Sequence, residues 1–264
     1  MERGYAVVTG ASQGLGEAMA LQLAGLGFGI IAVARNRAGL DRVAAACGAL
    51  NGGRTQVIVA DLSNEEATHS AADHIAALGL PIEALVNNAG YAVWGRFAEQ
   101  PLDAHISMLQ VNMMAPVILT HRLLPLLRQQ PRSYILNVGS MAGYAAVSTL
   151  AGYSGSKAFV RLWSRGLRQD LHGTGTSVTC VCPGTVLTGF TARAGMQALD
   201  QLAKKFGSSP EAVAKAAVKA MLAGRAEVVP GVMDSLTAQL MKLLPEALIE
   251  KVASGIYIKH LPRS

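Results

Sequence analysis

Short, wholly apolar segments alternate along this chain with stretches in which apolar residues return every three or four positions. Tyr5–Thr9 is β-branched and ends at Gly10, and a helical pattern follows over about residues 14–26. The same pairing recurs. Apolar runs at 29–33, 55–60, 84–88, 133–139 and 177–182 alternate with helical patterns near 38–50, 64–78, 103–128 and 150–172. Because the apolar runs do not alternate with polar residues, both faces of each strand are expected to be covered. Strand–helix alternation of this kind predicts a doubly wound parallel sheet in three layers, α/β/α, built by right-handed crossovers. No linker interrupts it, so residues 1–264 read as a single domain.

After residue 190 the pattern loosens. Residues 209–222 form an amphipathic helix opened by Ser209 and Pro210. A short strand is expected in "AEVVPGV", and residues 234–254 read as two apolar-faced helices broken at Pro245. The domain thus carries an extended helical C-terminal tail, with residues 190–264 as substrate lid and extension.

Candidate chemistry begins at the first strand–helix turn. "TGASQGLG" places glycines at 10, 14 and 16, where a backbone passing close to a pyrophosphate can carry no side chains. The helix start behind them offers free N–H groups and a positive dipole end. No Gly-Lys-Ser/Thr follows, so the loop is not a P-loop. At the end of the second strand, where a carboxylate would hold a ribose 2′-hydroxyl, the residues are Ala34, Arg35, Asn36 and Arg37. A guanidinium there suits a 2′-phosphate, so NADP(H) is expected over NAD(H), with Arg35 and Ser12 as phosphate contacts.

"GYSGSKAF" sets Tyr153 one helical turn before Lys157, on one face. An ammonium beside a phenol is expected to lower the phenol's pKa from about 10, a device for moving protons near neutral pH. Further back, Asn112 lies mid-helix with Pro116 four residues on. Proline has no N–H for the Asn112 carbonyl, so a break in the helix is expected there.

With "NNAG" at 87–90 and Ser140 in this order, the chain resembles the short-chain dehydrogenase/reductase family, from about Tyr5 to Thr188. The resemblance implies a Rossmann-like fold and a catalytic set of Asn112, Ser140, Tyr153 and Lys157. It also implies cofactor contacts from Gly10, Ser12, Gln13, Gly14, Leu15 and Gly16 in the loop. Asp61 and Leu62 would lie near the adenine, and Asn88 and Gly90 beneath the cofactor. Val186 and Thr188, in "PGTVLT", would lie at the nicotinamide, and Tyr153 and Lys157 would contact its ribose side. Tyr153 would act as general acid in reduction and base in oxidation, Ser140 would polarise the substrate oxygen, and Asn112 would anchor a relay water. Many family members end on a strand running into Asp-Gly-Gly. This chain has "VVPGVMDSL" and more than 25 further residues instead.

Charge and composition narrow the partners. Net charge is +6 without a long basic run, and aromatics are 5%, so no nucleic-acid partner is expected. Cys47, Cys180 and Cys182 have no disulfide spacing, and Cys180 and Cys182 read as packing. The six histidines (His69, His74, His105, His121, His172 and His260) show no ligand spacing, so no metal is expected. No apolar signal segment or transmembrane run is seen, and a cytoplasmic location is expected. The expected activity is hydride transfer between NADP(H) and the carbonyl or alcohol of an apolar small molecule, by a homo-oligomer. Two alternatives stand beside it: an NADP(H) sensor without turnover, and a membrane-surface scaffold using an apolar stripe that includes Met233, Leu236, Leu240 and Leu244. Phe190, Met196 and Leu199 in the lid segment suggest an apolar substrate.

Overall fold

The computed structural model describes residues 3–190, 196 and 207–261. Leu199 and most of the expected lid lie outside these residues. Seven parallel strands form one sheet in the order β3-β2-β1-β4-β5-β6-β7. They are β1 (Tyr5–Thr9), β2 (Gly29–Ala34), β3 (Thr55–Val59), β4 (Ile82–Asn87), β5 (Ser133–Val138), β6 (Thr176–Val181) and β7 (Glu227–Val228). The strand order reverses between β1 and β4, which opens a crevice at their carboxyl ends.

Helices cover both faces: α1 (Gly14–Gly25), α2 (Arg37–Asn51), α3 (Glu65–Ala77), α4 (Leu102–Leu109), α5 (Ala115–Leu127), α6 (Ala151–Asp170) and α7 (Pro210–Leu222). Successive residues of β2 feed opposite layers. Ile30 and Ala32 pack with Met19, Leu23 and Met221, whereas Ile31 and Val33 pack with Ile75, Leu85 and Leu119. Each fully buried Leu or Ile contributes roughly 1.5–3 kcal/mol over leaving it exposed, so the two apolar layers hold the crevice in place. The tail adds α8 (Val232–Met241) and α9 (Glu246–Ile258), separated at Pro245 as the sequence predicts.

The expected helix over 103–128 is broken where Pro116 predicted. Between α4 and α5, Gln110–Met114 form a π turn, and the Ala115 N–H reaches back to the Gln110 carbonyl. The whole run Leu102–Leu127 is long and apolar enough to cross a membrane by length and composition. Here Ala115, Leu119, Leu123 and Leu127 spend that apolarity against the sheet.

Candidate active site

Helix starts around the crevice are treated unequally. Asn36 caps α2, accepting from the Gly39 N–H at 3.0 Å, and Asn64 caps α3, accepting from Ala67 at 2.7 Å. At α1 the capping residue, Gln13, makes no side-chain cap bond, so the first N–H groups keep their bonding capacity for an anion. Gly10 and Gly14 sit at φ +65° and +61°. A Cβ on Gly14 would come within 3.1 Å of the Thr188 methyl, so the 185–188 segment is drawn against the loop. The Val186 bridge to Ser208 holds that segment. A Cβ on Gly16 would collide with the Gly10 carbonyl and the Asn88 amide. Asn88 in turn donates to the Thr9 carbonyl at 2.8 Å, and the Thr9 hydroxyl accepts from the N–H of Asn88 and of Ala89. The glycine pattern therefore serves the packing of the β1 and β4 ends as well as a ligand.

At the end of β2, Arg35 is largely exposed, with its guanidinium 3.8 Å from Asp61. Asp61 accepts from the Ser63 N–H and hydroxyl; those bonds and Arg35 hold its carboxyl below the usual range against the opposing effect of burial. Leu62 beside it is buried. Arg42, not singled out in the sequence, donates to the Ser12 carbonyl at 3.2 Å while paired with Glu17. It braces the loop from α2; its only sequence signal is a basic residue one turn into a helix facing the glycines.

The proton-handling groups lie at the β5 and α6 end. Ser140 follows β5, and its hydroxyl accepts from the Ala142 N–H at 3.1 Å. Tyr153 and Lys157 are both buried on α6. The Lys157 ammonium donates to the Val138 carbonyl at 2.8 Å and lies 5.8 Å from the Tyr153 ring centre. Gly90 fits closely between Asn112 and Lys157: a Cβ there would sit 3.0 Å from Asn112 Oδ1 and 3.3 Å from Lys157 Nζ. The Asn112 side chain is fully engaged. Its Oδ1 accepts from the Tyr91 N–H, and its Nδ2 donates to the Tyr91 carbonyl and the Ser156 hydroxyl, all within 3.1 Å. The Ser156 hydroxyl donates to the Tyr153 carbonyl at 2.7 Å. Asn112, Ser156 and the Tyr153 backbone thus form one buried chain. Ser156 escaped the sequence reading, although a serine three residues after Tyr153 on the buried face was its signal.

One expectation is corrected. The phenol of Tyr153 is not acidified: burial pushes it up to about 12, only partly offset by a hydrogen bond with Ser140. Burial drives Lys157 down to about 8, against the pull of Cys180 and Cys182. Desolvation is the largest influence on both groups, and it moves each toward its neutral form.

A strap fixes this end. Trp94, buried, donates its indole N–H to the Thr149 hydroxyl at 3.0 Å, and the Gly95 N–H donates to the Thr149 carbonyl. Thr149 stands at φ +70°, a left-handed conformation rare for a β-branched residue, immediately ahead of the start of α6. Trp94, Val147, Leu150, Met196 and Tyr153 share one apolar cluster, with Phe190, Ala253 and Tyr257 packed against it. The Tyr153 and Phe190 ring centres are 5.8 Å apart.

Comparison with known proteins matches this chain to the short chain dehydrogenase profile over residues 4–198. The chain belongs to the short-chain dehydrogenase/reductase family, oxidoreductases acting on CH–OH and C=O groups. It is 35% identical over 240 residues to the ketoacyl reductase HetN of Nostoc sp., covering 90% of this chain and 82% of that protein. It is 38% identical over 190 residues to a very-long-chain 3-oxoacyl-CoA reductase of Anas platyrhynchos, covering 70% of this chain and 60% of the relative's length. Among solved structures, a short-chain dehydrogenase from Sphingobium yanoikuyae in complex with NADPH superposes with a TM-score of 0.80 at 26% identity, covering 93% of this chain and 98% of that one. The structural neighbours include complexes with NADPH and with NAD. Among the described residues no group of His, Cys, Asp or Glu is arranged to hold a metal.

Proposed function

We propose that this short-chain dehydrogenase/reductase is an NADP(H)-dependent carbonyl reductase acting on apolar ketones, aldehydes or oxoacyl compounds, with Tyr153 as general acid. The observation that carries it is the meeting of the Tyr153 phenol, the Ser140 hydroxyl and the buried Lys157 at one end of a crevice whose other end is an uncapped helix start.

The residues fit a nicotinamide dinucleotide. Gly10, Gly14 and Gly16 leave no side chain at the loop, α1 offers uncapped N–H groups, and Gly90 keeps the space between Asn112 and Lys157 shallow. Gly10, Ser12, Gln13, Gly14, Leu15 and Gly16 would hold the pyrophosphate side, Arg35 and Ser12 a 2′-phosphate, and Asp61 and Leu62 the adenine. Asn88, Gly90, Val186, Thr188 and Lys157 would hold the nicotinamide end. When bound, the reduced cofactor supplies a hydride.

The protein's own part is proton delivery. A phenol held near 12 stays protonated through neutral pH, the form a general acid needs. Ser140, near enough to temper the phenol's shift, would share the substrate oxygen with it and polarise the carbonyl. Lys157, near 8 when desolvated, can replenish the proton, and the Asn112–Ser156 chain fixes the helix turn that carries Tyr153. The apolar wall of Trp94, Val147, Leu150, Phe190 and Tyr257 and the oxoacyl names of the relatives support an apolar acyl or alkyl chain on the substrate.

The test follows NADPH absorbance against a panel of ketones, aldehydes and 3-oxoacyl thioesters, with NADPH binding measured in parallel. Turnover of the more apolar members supports the reading. Tight NADPH binding with no oxidation across the panel would overturn it in favour of a nucleotide sensor.

A further inference from the structure

The tail's two helices show solvent an apolar face. On α8 and the turn after it, Val232, Met233, Leu236, Leu240 and Leu243 are all more than half exposed, Leu243 the most at 82%. On α9, Leu248, Val252 and Ile256 repeat every fourth residue and are 48–62% exposed. A soluble monomer's largest apolar patch is usually about 300–600 Å² and often functional. The inner faces of the same helices are occupied: Ala238 and Ile249 are buried, and Ala253, Tyr257 and Leu261 pack against the cluster holding Tyr153.

Charge on these helices is sorted by face, and that sorting names the occupant. All three acids between residues 231 and 261 turn to the body. Asp234 lies over Gly184, and Glu246 and Glu250 line a groove of about 530 Å³ with Ala151, Ser154 and Ala158 of α6. Lys242 also turns inward, to Glu227 at 3.4 Å. Lys251 and Lys259 face outward, each three residues after an exposed apolar residue, Leu248 and Ile256, and neither is ion-paired among the described residues. The outer face therefore carries apolar side chains and cations without anions. A face between two protein copies is depleted of lysine at its centre. An interfacial helix on lipid is apolar with lysines that reach back to headgroups.

We propose that the outer face of α8 and α9 docks on a membrane surface rich in anionic phospholipid, with Leu236, Leu240, Leu243 and Leu248 entering the acyl boundary and Lys251 and Lys259 meeting the headgroups. The proposal does not rest on the reaction assigned above.

The experiment floats the full chain with vesicles of phosphatidylglycerol mixed into phosphatidylcholine, and with phosphatidylcholine alone, while sedimentation reports its state without vesicles. Binding to the anionic vesicles at least about tenfold stronger than to neutral ones is expected, weakening as salt rises. Two variants, Lys251→Glu/Lys259→Glu and Leu240→Ser/Leu243→Ser, should each lower that binding about tenfold or more, with NADPH affinity unchanged as the check on folding. Failure to bind either vesicle overturns the proposal. So does a dimer in solution that Leu240→Ser/Leu243→Ser dissociates, since a second copy would then cover the face. Binding that neither variant weakens would place the lipid contact elsewhere and overturn it equally.

Discussion

The two cations of the crevice, Lys157 and Arg35, are held in opposite ways. Lys157 is 5% exposed, bonded to a backbone carbonyl and lowered to about 8 by burial. The Arg35 side chain is 69% exposed, and its one ion pair among the described residues is with Asp61, at 3.8 Å. Proton transfer needs a group whose pKa is tuned, and tuning requires desolvation and fixed neighbours. Recognition of a phosphate needs only a permanent charge that can swing onto it, and arginine keeps its charge in water. On the proposed function, the rigid end would do chemistry and the loose end would choose the cofactor.

Replacing the phenol strikes the rigid end hardest. Tyr153→Phe should keep NADPH binding and lose about 10²–10⁴ in kcat, the range of a lost general acid. Stopped-flow turnover beside fluorescence titration of NADPH checks it, and a rate within a few-fold of the parent would remove Tyr153 from its role. At the loose end, Arg35→Ala should weaken NADPH by about tenfold or more and leave NADH nearly unchanged, since the loss is one charge-assisted contact. Equal losses for both would sink the 2′-phosphate assignment.

Positioning can be tested without touching either cation. Ser156→Ala removes the link between Asn112 and the Tyr153 carbonyl and leaves the Asn112 amide short of a partner. A loss of about 1–3 kcal/mol in urea unfolding is expected, with NADPH affinity kept.

The titration of Lys157 offers the smallest effect. Its folded pKa of about 8 lies below the ordinary value of 10.5, so the unfolded chain binds more protons between those limits and the group's contribution to stability rises with pH there. Tyr153 and Cys47, raised to about 12 and about 11, act oppositely above their ordinary values of 10 and 9. The informative quantity is therefore the difference between parent and Lys157→Met, which should grow by about 1–2 kcal/mol in the parent's favour from pH 8 to 10. A flat difference would mean that Lys157 is as well solvated as a surface lysine.

Much of this was legible in sequence because it depends on neighbours along the chain. Strand–helix alternation, the glycine spacing and the Tyr153–Lys157 turn are local patterns, and the break at Pro116 follows from one missing N–H. What escaped depends on contacts between distant segments. Trp94 and Thr149 meet across 55 positions, Arg42 reaches Ser12 across 30, and Ser156 finds Asn112 across 44. The sign of the Tyr153 shift was missed for a related reason. Pairing with Lys157 is visible in a helix pattern, but the depth of burial is set by Trp94, Phe190 and the tail, which arrive from elsewhere. The division of α8 and α9 into an acidic inner and a cationic outer face likewise needs the body of the protein to define which side is which.

Thr149 has a consequence for anyone altering this protein. A branched residue forced left-handed stores about 1–3 kcal/mol, released if glycine takes the position. Thr149→Gly would release that strain, but it leaves the buried Trp94 indole N–H without its partner and loosens the unfolded chain, costs of about the same size. Backbone strain and the indole anchor therefore offset each other at this one residue, and a melting temperature alone would not reveal which of the two a substitution had altered.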